Sequence, residues 1–456
     1  MNREKLGSRL GFILLSAGCA IGLGNVYRFP IITGSYGGAI FVLIYIGFLL
    51  LLGLPIMTAE LSVGRASQRS IASSFDVLEK PGQKWHWMKL LGIGGNYLLM
   101  MCYTTITGWM VIYFFKYLTG SIVEEHGDKA LEAVFGNMVS DPWVTLAATV
   151  GVIVVCFLVC SLGLQKGVER ITKVMMIALF VLMIGLVVYS LTLSNAAEGL
   201  KFYLIPSFEN IQKSGITTVL SAAMGQAFFT LSLGIGSIAI FGSYIDKKRR
   251  LLGEAVTIVS LDTAVALMAG LIVFPACYTY NNGVTADAGT VGAGFLFTTL
   301  SSIFNAMPGG QIVGTLFFLF MIFAACSTVI AVFENIISFW LELTKLSRLQ
   351  VCLINIGLIT VLALPAIFSN NLLSGVTLFG NTFMDLEDFA VSNLFLPIGS
   401  LLYVVFCTSR YGWGWNKYYE EVNCGERGPR MPKWIRPYMT FVLPVIIIAV
   451  LVMSLI

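Results

Sequence analysis

Two apolar stretches of this chain are interrupted in the same way, by glycines set among small polar residues. The first reads Ala17-Gly18-Cys19-Ala20-Ile21-Gly22-Leu23-Gly24-Asn25 and the second Thr230-Leu231-Ser232-Leu233-Gly234-Ile235-Gly236-Ser237. A single Gly-x-Gly in a membrane helix serves close packing as readily as unwinding. Two of them, five apolar spans apart, point to corresponding broken helices around a central site. Unwound backbone inside a bilayer bares N–H and C=O groups that lipid cannot satisfy. Half-helix N-termini then favour an anionic group, and half-helix C-termini and bare carbonyls favour a cation. An amino-acid zwitterion with sodium ions uses all of these groups, whereas a sugar needs no such dipoles.

Charged residues inside the apolar spans are few: Arg28, Glu60, Asp262, Glu334 and Asp388. Intramembrane charge is unfavourable and usually functional. Glu60 reads as structural, a carboxylate able to accept hydrogen bonds from the freed N–H groups of a broken helix. Asp262, between Leu261 and Thr263 in an apolar span, reads as functional.

The elements that must position these residues follow from hydropathy. The chain has 456 residues, 57% hydrophobic and 11% charged, against roughly a quarter charged in soluble domains. Spans of ~20 apolar residues need a bilayer, and eleven occur, at about 10–34, 38–64, 89–118, 142–163, 168–194, 216–245, 251–280, 309–343, 349–368, 386–408 and 433–456. In lipid, spans of this kind are helices. The expected architecture is an all-α membrane protein divided into a cytoplasmic segment 1–9, a five-helix repeat 10–194, an outer loop 195–215, a second five-helix repeat 216–408, a cytoplasmic loop 409–432 and a final span 433–456.

Of the 28 Lys and Arg residues, 23 fall on one side, including Lys247-Lys248-Arg249-Arg250; the other side holds Lys116, Lys129, Lys201 and Lys213. Basic loops stay cytoplasmic, so the N-terminus is expected inside and, with an odd span count, the C-terminus outside, in a cell (inner or plasma) membrane. The loop 281–310 lacks Lys and Arg, and its apolar stretch Gly294–Ile303 reads as a re-entrant or capping helix or as a plain surface helix. Eight of nine cysteines lie in apolar stretches without CxxC spacing, and the two histidines, His86 and His126, lie in polar loops. Neither a metal centre, a disulfide frame nor histidine catalysis is expected. No signal peptide is read before the first span, and no basic stripe with interleaved aromatics suggests nucleic acid.

Gly22-Leu23-Gly24-Asn25, Arg28-Phe29-Pro30 and Gln226-Ala227-Phe228-Phe229-Thr230-Leu231-Ser232-Leu233-Gly234 together resemble the neurotransmitter:sodium symporter family, in particular its bacterial leucine-transporter branch. Lys166-Gly167-Val168-Glu169-Arg170 and Leu200-Lys201-Phe202-Tyr203-Leu204-Ile205-Pro206 also fit, so the likeness runs from Arg9 to about Thr440. The resemblance implies two five-helix inverted repeats, with the first and sixth helices broken at mid-membrane, and sodium-coupled uptake of an amino acid by alternating access. It puts the substrate carboxylate at the N–H groups of Leu23 and Gly24 and the Tyr103 hydroxyl. The amine falls at carbonyls of the unwound segments and Thr328. The side chain falls among Leu99, Tyr103, Phe229, Ser232, Ile235 and Val332, and Thr230 is also placed at the substrate.

Two sodium ions are implied. The first would use Ala20, Asn25, Thr230, Asp262 and the substrate carboxylate, so that ion and substrate raise each other's affinity. The second would use Gly18, Ile21, Ala324, Ser327 and Thr328. Asp262 replaces the neutral amide usual in the family, and the carboxylate some members carry one turn later is Ala266 here; Asp262 therefore implies chloride independence and leaves proton antiport open. The outer gate would be Arg28 with Asp388, and the inner one Arg3 with Glu342 near Tyr244. Leu6 stands where a tryptophan is usual and Ile177 where many members place a proline. Glu334 replaces a neutral residue, with no role assigned.

The side-chain pocket lacks an acidic partner, which favours a hydrophobic aliphatic or aromatic L-amino acid. A proton-coupled permease of the same architecture, and an intramembrane enzyme or channel, are the alternatives. Sodium dependence separates the first, and no nucleophile constellation or repeated filter motif supports the second. Oligomeric state is not readable.

Overall fold

The computed structural model describes residues 5–125, 127–207, 215–280 and 293–453. Among them the elements are helical, with only two isolated β-bridges. The long helices and the broken pairs are α1 (Arg9–Ala20), α2 (Gly24–Ser35), α3 (Ala39–Ser67), α4 (Trp85–Leu118), α5 (Pro142–Ser161), α6 (Leu164–Leu191) and α7 (Ile216–Thr230). They continue with α8 (Ser237–Gly242), α9 (Leu251–Tyr280), α10 (Gly310–Leu343), α11 (Arg348–Phe368), α12 (Phe383–Thr408) and α13 (Ile435–Met453). Nine of the described helices are long and apolar enough to cross a bilayer, or ten if the bent pair α1 and α2 counts as one. The expected eleven exceeds this because α7, at 15 residues, falls short alone.

Local sequence explains the interruptions. α1 begins where the Ser8 side chain accepts from the Gly11 N–H and stops at Ile21, whose backbone is extended. α2 resumes at Gly24 with a π turn, Gly24–Arg28, and lies at 56° to α1. Between α7 and α8 the chain passes through left-handed conformations at Ser232 (φ 49°), Gly234 (φ 99°) and Gly236 (φ 80°). Gly234 is required there twice over, since a Cβ would also collide with the Leu396 carbonyl and the Ser400 nitrogen of α12. Four further π turns, Leu49–Gly53, Leu164–Glu169, Ala390–Phe395 and Tyr438–Val442, lie within α3, α6, α12 and α13.

α10 runs through the middle of the bundle, packed on α1, α4, α5 and α6. Its positions Ala324, Ser327, Thr328, Ala331 and Asn335 recur at helical spacing and are all buried; such small residues let helix backbones approach closely. The outward stripes of α6 (Val174, Ile177, Val181, Ile184, Val188) and α11 (Leu349, Leu353, Ile354, Val361) are exposed and apolar, as lipid-facing surfaces are. The apolar stretch expected to form a helix after residue 293 is two short ones, Ala293–Phe297 and Thr299–Ala306. Phe297 of this pair packs against Tyr113 of α4 at 4.8 Å and Phe135 at 5.2 Å. Positions 281–292 of that loop lie outside the described residues.

Candidate functional site

The two interruptions meet beside α4. Asn96, Leu99 and Tyr103 share one face of that helix and are buried. The Leu23 N–H donates to the Tyr103 hydroxyl (3.0 Å), and the Gly22 N–H to Asn25 Oδ1 (3.1 Å). A Cβ at Gly22 would collide with that same hydroxyl and stand 2.8 Å from Thr328 Oγ1. At Gly22 the backbone thus approaches both hydroxyls too closely for a side chain. Ala20, Gly22, Gly24, Leu99, Tyr103, Phe229, Ser232, Thr328 and Leu396 enclose a cavity of about 10 Å³, room for about one water molecule.

Two clusters of oxygens flank this cavity. In one, Asn25 Nδ2 donates to Asp262 Oδ1 (2.7 Å) and to the Asp262 carbonyl (3.1 Å). Thr230 Oγ1 lies 3.4 and 3.3 Å from the two Asp262 carboxylate oxygens. Asp262 is fully buried, without an ion-pair partner among the described residues. In the other, the Ser327 hydroxyl donates to the carbonyls of Gly18 (3.0 Å) and Ala324 (2.8 Å). Thr328 Oγ1 reaches the carbonyls of Gly18 (3.1 Å), Ile21 (3.2 Å) and Ala324 (3.5 Å). That cluster carries no charged group and joins α1 to α10.

Breaking the second helix leaves groups that the neighbouring helices satisfy. The Gly236 N–H donates to Glu60 Oε1 (2.7 Å), the role expected for Glu60. Asn96 Nδ2 donates to the Ile235 carbonyl (2.8 Å), while its Oδ1 accepts from Ser237 (3.2 Å) and from Asn335 (3.1 Å). Gln226 Nε2 donates to the Gly24 carbonyl (2.7 Å) and so ties the end of α7 to the start of α2. The sequence reading did not single out Asn96 or Asn335, and it quoted Gln226 only as the first residue of a motif, without a partner; an uncharged amide at helical spacing in an apolar span was the available signal. Ile235 and Val332, expected around the substrate side chain, are buried but do not line the cavity. A Cβ at Gly95 would lie 2.5 Å from Ile235 Cγ2, which shows that Ile235 points at α4 instead. Thr230 likewise turns to Asp262, and Leu396 takes a place in the lining.

Above the cavity opens a vestibule of about 560 Å³, bordered by Tyr27, Arg28, Phe229, Asp385 and Asp388. The Arg28 guanidinium lies 4.4 Å from the centre of the Phe229 ring. Arg28 and Asp388 form no direct ion pair; Arg28 Nη1 donates to Ser392 Oγ (3.4 Å), and that hydroxyl donates to Asp388 Oδ1 (3.4 Å). Glu387, the residue before Asp388, is buried, and its Oε2 has no hydrogen-bond partner among the described residues, a feature the sequence reading overlooked.

At the other end a cavity of about 1220 Å³ is bordered by Lys5, Arg9, Tyr244, Lys247 and Glu254. Glu169 holds the N-terminal segment through the Gly7 N–H (2.7 Å) and the Ser8 hydroxyl (2.9 Å). Arg9 pairs with Glu254 (3.2 Å). Glu342 accepts from the Ser70 N–H (2.7 Å); Arg3, its expected partner, lies outside the described residues. Tyr244 donates to Glu334 (2.8 Å), and Glu334 is ion-paired with Arg348. Glu334 therefore gains a partner that the sequence reading had left unassigned.

The profile of the "Sodium:neurotransmitter symporter family" matches residues 3–133 and 136–456. The chain is 35% identical over 399 residues to the protein described as "Uncharacterized sodium-dependent transporter YhdH" of Bacillus subtilis (strain 168), covering 88% of this chain and 86% of that one. It is 28% identical over 468 residues to an "Uncharacterized sodium-dependent transporter" of Haemophilus influenzae, covering 99% and 98%. Among solved structures, that of MhsT in complex with L-phenylalanine superposes with a TM-score of 0.86 at 35% identity, over 99% of this chain and 100% of the other. With its apolar helices, its two interruptions and a match over nearly its whole length, the chain belongs to the sodium:neurotransmitter symporter family of multi-pass, sodium-dependent membrane transporters.

Proposed function

We propose that the chain carries out sodium-coupled uptake of a hydrophobic L-amino acid by alternating access. The observation that carries this reading is the convergence of both helix interruptions on one buried cavity with an oxygen cluster on either side. In this reading α1 with α2, and α7 with α8, each form one broken span, which brings the count to eleven. The spans make two inverted five-helix repeats with a cytoplasmic N-terminus and an outside C-terminus.

The substrate carboxylate meets the N–H groups of Leu23 and Gly24 and the Tyr103 hydroxyl. Its amine meets Thr328 and the bare carbonyls. The apolar lining of Leu99, Phe229 and Leu396 favours an aliphatic or aromatic side chain, and the MhsT complex with L-phenylalanine supports the same substrate class. The first sodium ion takes Ala20, Asn25, Thr230 and Asp262 with the substrate carboxylate, and the second takes Gly18, Ile21, Ala324, Ser327 and Thr328. Asp262 supplies the balancing charge, so chloride is not needed. Arg28, Ser392 and Asp388 close the outer path over Phe229, while Glu342, Tyr244 and the N-terminal segment, Arg3 included, close the inner one.

Uptake of labelled leucine or phenylalanine into vesicles holding the purified protein tests the whole reading. Accumulation should require an inward sodium gradient, persist when gluconate replaces chloride, and be competed by hydrophobic amino acids in preference to glycine or glutamate. Equal accumulation in potassium-only buffer would overturn it.

A further inference from the structure

The loop joining α11 to α12 is uncharged, and it sets exposed apolar residues among Asn, Ser, Thr and Gly. From Leu349 to Met384 the chain has no Asp, Glu, Lys or Arg. Within the loop, Leu372, Val376, Leu378 and Phe379 are all exposed, Phe379 at 96%. The tip is not slack. Leu378 and Asn381 exchange two backbone hydrogen bonds of 3.0 Å each, closing a two-residue turn on Phe379 and Gly380. Both central residues have positive φ, 53° and 80°, the pattern of a primed hairpin turn that favours Asn-Gly. A phenylalanine in the left-handed region is strained by its Cβ, and such strain persists where the position has work to do.

Both stems are fixed. Asn371 Nδ2 donates to the carbonyls of Val139 (2.9 Å) and Ile367 (3.0 Å). The Met384 N–H donates to Ser369 Oγ (3.0 Å), and Thr382 caps α12. The turn therefore holds an aromatic ring outward on a rigid base, and nothing within the described chain covers it.

We propose that residues 372–380 are a membrane-interface anchor, with Phe379, Leu378, Val376 and Leu372 inserted at the headgroup–acyl boundary. Two observations select lipid as the occupant. The loop continues the apolar outward stripe of α11 (Leu349, Leu353, Ile354, Val361), and α11, at 21 residues, is about long enough to end at the edge of the hydrocarbon. The loop's freedom from charge suits insertion, and aromatic residues favour this depth. Exposed contiguous apolar surface of this kind marks an interaction site. The anchor has a functional address, because Asn370 and Thr382 at its two stems line the vestibule near Asp388. The bilayer thus fixes one rim of the vestibule.

The test is a photo-crosslink. Phe379 is replaced by p-benzoylphenylalanine in the full chain, the protein is reconstituted in phosphatidylethanolamine–phosphatidylglycerol vesicles, and retained sodium-driven uptake certifies the fold. Irradiation should give lipid-mass adducts on the peptide carrying position 379, several-fold more than the same probe at Glu125. In parallel, Phe379→Trp should gain emission that lipids brominated near the headgroup quench more than lipids brominated at the chain end. Crosslinking to a second copy or to another protein, the absence of lipid adducts, or quenching of the new tryptophan by aqueous iodide alone would each overturn the anchor.

Discussion

The two oxygen clusters beside the central cavity are built from similar parts to different ends. Around Asp262 a fully buried carboxylate is met by one amide and one hydroxyl, on three elements: α2, α7 and α9. Around Ser327 the oxygens are those of two hydroxyls and three main-chain carbonyls, all neutral, on α1, its extension and α10. The first cluster brings its own charge and abuts the cavity through both interruptions. The second joins one interrupted helix to the central helix by dipoles alone. Under the proposed function, a cation in the first would be held mainly by charge, so losing the carboxylate would be severe. A cation in the second would be held by a number of modest contacts, each removable at modest loss.

That contrast orders the expected effects. Two unit charges about 4 Å apart at an effective dielectric of about 20 interact by about 4 kcal/mol. Asp262→Ala should therefore lower sodium-driven uptake by about 100-fold or more. Asp262→Asn, which keeps the shape, should regain uptake when chloride is added. A chloride-indifferent Asp262→Asn would break the contrast. Thr328→Ala removes a hydroxyl in reach of three carbonyls, and should raise the sodium concentration for half-maximal uptake about tenfold, in keeping with one or two hydrogen bonds of about 1 kcal/mol. Its chloride response should stay flat. Gly18→Ala places a Cβ 3.2 Å from Ser327 Cβ, Met176 Sδ and Thr172 Cγ2. This crowding should weaken sodium binding by a few-fold, about 1 kcal/mol, measured as a thermal-shift midpoint against sodium concentration. Thr230→Val should have the least effect, about two- to threefold in sodium affinity, because the hydroxyl stands at 3.3 Å or more from the carboxylate, at the long edge of hydrogen bonding.

Much of this site could be read in the sequence, because backbone interruption in an apolar span needs glycine and leaves a local mark. The positions of both breaks and the acceptor role of Glu60 were visible from Gly22–Gly24, Gly234–Gly236 and one carboxylate late in a span. Span lengths were less legible: α7 alone is too short to cross a bilayer, and hydropathy runs smoothly across the gap to α8 without registering it. Contacts between distant helices left no local trace. Gln226 to Gly24, Asn96 to Asn335, and Arg348 to Glu334 join segments by tertiary packing. The left-handed turns at Ser232, Gly234 and Gly236 set the direction of Ile235 against Gly95 of α4, a contact that spacing along the chain does not encode.

The π turns hold a further consequence. Each carries a residue more than an α-helix would need over the same rise, and one residue of α-helix corresponds to about 100° of rotation. Deleting a single residue from Ala390–Phe395 would let α12 relax to a regular helix. Asp385, Glu387 and Asp388 would then swing about a quarter of a circle relative to Leu396 and Ser400. Such an insertion is an angular offset written into the chain, and it lets the acidic mouth and the inner wall of one helix be aimed independently.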